Sequence, residues 1–98
     1  MTHIVEWSKE AELTFIQAVT QIREKWTERE VENFIVRTEK VIEFIGQNPT
    51  LYPYSKIGFV HRAVISKQTS LYYHVTTENK IILLSFEDNR QNPSKVKY

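Results

Sequence analysis

Ile81-Ile82-Leu83-Leu84-Ser85-Phe86, running on into Glu87-Asp88-Asn89-Arg90-Gln91-Asn92-Pro93, is the stretch on which the fold turns. An apolar run of this length bounded by turn residues reads as a buried strand, and the proline stops regular pairing after a polar turn that presents one arginine. In an antiparallel sheet with helices on one face, the other face normally alternates to polar. This strand is apolar at every position from Ile81 to Leu84, so both of its faces want cover. Ile82, Leu84 and Phe86, or their opposite set, are then either wrapped by the helices and the first strand or left as an apolar groove for a partner segment.

Working back along the chain, residues 71–76 and 59–66 read as two further strands of an antiparallel meander. The loop Lys67-Gln68-Thr69-Ser70 and the turn Thr77-Glu78-Asn79 connect them, with Asn79 in the left-handed region. Leu51-Tyr52-Pro53-Tyr54 reads as an ordered loop whose aromatics pack on the helix ends. Upstream of it, Thr27-Glu28-Arg29-Glu30 is a capping box, and Val31, Phe34, Thr38, Val41 and Ile45 mark one face of a helix that Gly46 and Asn48-Pro49 terminate. Ser8 caps an earlier helix, whose face is Ala11, Phe15, Ala18, Ile22 and Trp26. Leu13, Ile16 and Val19 widen that stripe, so this helix meets something on two sides. The two helices, with almost no linker, predict an antiparallel hairpin. Ile4 to Trp7 reads as a short first strand. The fold class is α+β, ordered β-α-α-β-β-β, with the hairpin on one face of a mainly antiparallel four-stranded sheet.

Ninety-eight residues that are 41% apolar suit one domain with one core, and the stretch from 90 to 98 has too little apolar content to be fixed when alone. Without cysteine there is neither a disulfide framework nor a thiolate metal site, and His3, His61 and His74 lack ligand-like spacing. No metal or cofactor is expected. Neither a signal peptide nor a membrane span is legible, which predicts a cytoplasmic protein. Net charge is +1, but residues 1–55 carry six basic and nine acidic side chains, and residues 56–98 carry seven and three. A basic sheet half is the footprint of a surface that meets phosphate or an acidic protein.

No nucleophile motif, phosphate loop or paired-carboxylate pattern is present. The chemistry-bearing side chains are Arg62, Lys67, Tyr72, Tyr73, His74, Arg90 and Lys95. Cleavage of an RNA backbone needs a base, cations for phosphorane charge and an acid. If the chain is a nuclease, Arg62, Arg90, Tyr72 and His74 are the candidates for those roles.

The element order and the arginine-bearing stop after the final strand resemble the RelE/ParE superfamily of bacterial type II toxins, over residues 4–95. Resemblance to RelE-type ribonucleases implies basic residues along strands two and three, an arginine after strand four and a later tyrosine. Arg62 and Arg90 match two of these positions. Val64 and Ser70 stand where two cations would be, and Val96 where the phenol would be, with Tyr98 two residues beyond. Arg90-Gln91-Asn92-Pro93 is similar to the ending of many ParE-like plasmid-stabilisation toxins. That branch implies poisoning of DNA gyrase without a catalytic residue, and neutralisation by a small antitoxin protein. The alternatives are ribosome-dependent mRNA cleavage and a non-toxic protein-binding module of the same fold. On this reading Arg62, Lys67, Arg90 and Lys95 meet the target, and Leu13, Ile16, Leu84 and Phe86 meet the antitoxin.

Overall fold

The computed structural model describes residues 3–76, 78–91 and 93–98. Its elements are β1 (Ile4–Trp7), α1 (Lys9–Lys25), α2 (Glu28–Gln47), β2 (Val60–Val64), β3 (Thr69–Val75) and β4 (Lys80–Asp88), followed by a 3-10 turn at Pro93–Lys95. Each helix begins where a side chain serves its exposed amides: Ser8 Oγ accepts from the Ala11 amide at 3.0 Å, and Thr27 Oγ1 from the Glu30 amide at 3.4 Å. Trp26 and Thr27 alone separate the helices, and Phe15 of α1 stacks on Phe34 of α2 at 5.8 Å. Val31, Phe34, Thr38 and Ile45 are buried on the expected face of α2. Trp26 does not continue the α1 face. The chain turns to extended angles there, and the indole of this C-cap residue is exposed.

The four strands form one sheet in the order β1-β4-β3-β2. β1 runs parallel to β4, with Ile4 opposite Lys80, and the other two pairs are antiparallel. The hairpin covers one face, where Phe34 and Ile45 meet Ala63, Leu71, Tyr73, Ile81 and Leu83 in the core. Between Tyr72 and Tyr73 the register slips: Tyr72 lies opposite Ser85, yet Tyr73 lies opposite Leu83. Leu84 is the extra residue of a β-bulge, and it shifts the phase of everything after it. Strict alternation would group Phe86 with Ile82 and Leu84. The bulge instead turns Phe86 inward, 4% exposed, with its ring 5.5 Å from Trp7 and 5.2 Å from Phe15. Phe86 therefore belongs to the core and not to the face of Leu84.

Because β1 ends at Trp7, β4 has no strand on that side beyond Leu83, and α1 supplies partners in its place. Ser8 Oγ donates to the Leu84 carbonyl at 3.0 Å, and Thr14 Oγ1 accepts from the Phe86 amide at 2.9 Å. At the other edge, the loop before β2 covers the outer backbone: the Arg62 amide donates to the Pro53 carbonyl and the Ser55 amide to that of Val60. Tyr52 of the same loop packs edge-on against Phe44 and Tyr73.

Two strand limits differ from expectation. Thr69 and Ser70 read as loop from their polarity, yet they pair with Asp88 and Glu87, whose own polarity hid the continuation of β4. β2 is shorter than residues 59–66. Asn79 is left-handed as expected, at φ 60°. Thr77 of that turn and Asn92 of the polar stop lie outside the described residues. Among the described residues, no helix is long and apolar enough to cross a membrane.

Candidate functional site

The face of the sheet turned away from the helices carries three of the chemistry-bearing side chains, Arg62, Tyr72 and His74. Register sets Arg62 opposite Tyr72 and Val64 opposite Ser70, and on the far side Tyr72 opposite Ser85 and Ser70 opposite Glu87. Since paired residues share a face, Arg62, Ser70, Tyr72, Ser85 and Glu87 form one polar field. Its groups bond one another. Arg62 Nη2 donates to Asn89 Oδ1 at 3.0 Å, Ser70 Oγ donates to the same oxygen at 2.6 Å, and Ser85 Oγ donates to Glu87 Oε2 at 2.9 Å. Asn89 returns its amide to the carbonyls of Ser66 and Lys67, and its backbone amide donates to the Gln68 carbonyl at 2.7 Å. One amide thus ties the end of β4 to the β2–β3 loop and holds the guanidinium of Arg62. The partner of the Arg62 guanidinium is thus a neutral amide. Asn89 carries no charge and belongs to no motif, and only its place in the polar turn beside Arg90 could have drawn notice.

Residues 93–98 lie across the same face. Lys56, from the loop before β2, donates to the Val96 carbonyl at 2.5 Å, and the Tyr98 ring lies 5.8 Å from that of Tyr72. The Tyr98 hydroxyl donates to Glu10 Oε2 at 3.2 Å. Burial first, and the Glu10 carboxylate second, push the Tyr98 phenol above its ordinary value. His74 shares the face with Nδ1 3.0 Å from the Phe59 carbonyl and the Phe59 ring at 5.4 Å. Tyr72 and Tyr73 point to opposite faces. Burial pushes the Tyr73 phenol far upward, and its hydroxyl donates to the Pro49 carbonyl at 2.7 Å. His61, which the sequence gave no reason to single out, is buried between Tyr54 and Tyr73, at 4.3 and 5.0 Å, with Nδ1 2.8 Å from the Tyr52 carbonyl.

Arg90 does not join this field. It turns toward α1, where it lines an open groove of about 590 Å³ with Thr14, Lys25, Thr69 and Asp88. Its Nε and Nη2 donate to the two oxygens of Asp88 at 3.0 and 2.8 Å, and its amide donates to Oδ1 at 2.8 Å. Lys67 is exposed in the β2–β3 loop and Lys95 in the 3-10 turn, so the four expected target-binding cations are not gathered at one place. Leu13 and Ile16 project from α1 at 51% and 60% exposure.

The bidentate bond to Arg90 holds the Asp88 carboxyl below its ordinary value. A depressed carboxylate stabilises the folded state above the ordinary range and loses that contribution as the pH falls through its own lower value. The pair is exposed, so the contribution is small, but the titration is readable. Carboxyl NMR should place the Asp88 midpoint below that of an ordinary aspartate, and Arg90→Gln should return it upward. A midpoint indifferent to that change would mean the pair does not form in solution.

No protein-family model matches the sequence, and no curated protein does. Among solved structures, a chain of the toxin–antitoxin complex RelBE2 from Mycobacterium tuberculosis is similar, with a TM-score of 0.60 at 12% identity over 91% of this chain and 100% of that one. At that identity the likeness is one of fold: two helices on a four-stranded mixed sheet, strand-helix-helix-strand-strand-strand, match a RelE-like fold.

Proposed function

We propose that this chain is the toxin of a type II toxin–antitoxin pair, restrained by a small antitoxin protein, and that it acts on DNA gyrase and not as a nuclease. The fold shared with a protein from a toxin–antitoxin complex supports the first half. The polar field around Arg62 speaks against a nuclease, and the choice of gyrase rests on the resemblance of Arg90-Gln91-Asn92-Pro93 to ParE-like endings. A ribonuclease must surround the reacting phosphate with a base, an acid and several cations. Here the one cation of the field is bonded to Asn89, its register neighbours are Val64, Ser70 and Tyr72, and Tyr72 is buried beneath Tyr98. Removing a single group that stabilises transition-state charge costs about 10²–10³ in rate, and two cation positions of the nuclease pattern are filled by Val64 and Ser70.

Ribosome-dependent mRNA cleavage is the second reading, because Arg62 and Tyr72 do sit side by side. Expression of the chain alone should arrest bacterial growth and raise a DNA-damage response, and the partner protein should relieve both. A translating extract should show no codon-specific mRNA cuts. Ribosome-dependent cuts would overturn the gyrase reading, and unimpeded growth at high soluble expression would favour the non-toxic module.

A further inference from the structure

A sheet face with no helices on it should be wet, yet Tyr72 is 6% exposed, and Ser70 and Ser85 beside it are buried as deeply. The side chains of the polar field account for part of this cover. The segment 93–98 adds to it, reaching from Lys56 on the β2 side to Glu10 on the β1 side and laying the Tyr98 ring on Tyr72 between them. Its attachments differ in kind from the core. The bonds of Val96 to Lys56 and of Tyr98 to Glu10 are at exposed positions, where water competes for every partner. Lys97 Nζ lies 5.6 Å from the Tyr98 ring centre, also at the surface. A buried layer of aromatic and hydroxyl groups is thus closed by a short segment held from outside.

We propose that residues 93–98 form a displaceable strap, and that the face beneath it, centred on Tyr72 and Arg62, is a docking surface for an extended protein segment bearing an aromatic side chain. The strap itself displays the fit. A main-chain carbonyl goes to Lys56, a ring goes on Tyr72, and a hydrogen-bond donor goes to Glu10. A partner segment offering those three groups competes with the chain's own end, so the surface is closed until such a partner arrives. The nearby cation, Arg62, is already bonded to Asn89, and Glu87 and Glu10 flank the field, which favours a peptide over a polyphosphate backbone.

Tyrosine nitration of the full-length protein, mapped by mass spectrometry, tests the strap without reference to toxicity. Tyr54 is 60% exposed and serves as the internal standard. In the unaltered protein Tyr72 should react at least about 10-fold more slowly than Tyr54, and Tyr98→Ala should raise the Tyr72 rate by at least about 3-fold, the polar field keeping the rest of its cover. Tyr98→Phe, which keeps the ring but loses the bond to Glu10, should fall between. A synthetic peptide of residues 91–98, added to the Tyr98→Ala protein at about millimolar concentration to match the effective concentration of a tethered segment, should protect Tyr72 again. The same peptide with alanine for its tyrosine should not. Three results overturn the proposal: Tyr72 reacting as fast as Tyr54 in the unaltered protein, Tyr72 reacting no faster in Tyr98→Ala, or a peptide that restores no protection. Because none of these readouts depends on growth arrest, a failure of the toxin reading leaves them intact.

Discussion

Phe86→Ala should lower the stability of the fold by about 3–5 kcal/mol, the range for truncating a buried phenylalanine where the surroundings cannot collapse. The reason lies in its neighbours. The ring is held by Trp7 from β1 and Phe15 from α1, which are themselves in edge contact at 5.4 Å, so the three aromatics brace one another from three elements. Against a total of about 5–15 kcal/mol for a domain, such a loss leaves little margin. Urea denaturation followed by circular dichroism should show the midpoint falling by at least about 1 M. A shift under about 1 kcal/mol would return Phe86 to the surface, where a strictly alternating strand would put it.

Ile16→Asp should have the opposite profile, with little effect on the fold and a large one on neutralisation. Ile16 is exposed on the outer side of α1 together with Leu13, so a polar replacement stays within about 0.5 kcal/mol in stability. If an antitoxin segment folds against this stripe, as the proposed function requires of some apolar surface, a carboxylate at its centre must be desolvated on binding. Central interface positions carry about 2 kcal/mol or more, or roughly 30-fold in Kd. Titration of the purified variant with the antitoxin reads that loss directly, and growth assays should show a toxin that its partner no longer restrains. A folded, fully neutralised variant would place the antitoxin elsewhere.

These two predictions mark where the sequence was legible and where it was not. The helical hairpin could be read from the spacing of Val31, Phe34, Thr38 and Ile45 and from the caps Ser8 and Thr27, because local geometry dictates both. Ile16 as an outward apolar residue came from the same periodicity. The direction of Phe86 could not be read. A run that is apolar at every position from Ile81 to Leu84 contains no phase, and the bulge at Leu84 that fixes one arises from pairing with β3. Thr69 and Ser70 were hidden for a related cause, since polar strand ends look like loop until their partners are known. In the candidate site, charge directed attention to Arg62 and Arg90. The amide of Asn89, which decides where Arg62 points, has no such signature, and the separation of Arg90 onto the α1 side follows from the same turn.

The pairing of β1 with β4 sets an order of events in time. Ile4 meets Lys80 and Trp7 meets Leu83, so of the four strands the one made first pairs with the one made last. Closing a connection of that length costs loop entropy that no local contact offsets, which makes this pairing one of the late steps of folding. At about 5–20 residues per second, the seventy-odd residues between the partners keep β1 waiting for several seconds on the ribosome. During that interval the helices can form and pack on each other, but Trp7 has no Phe86 to meet. A nascent chain interrupted anywhere before β4 would therefore lack the completed sheet, and with it the face around Arg62 and Tyr72.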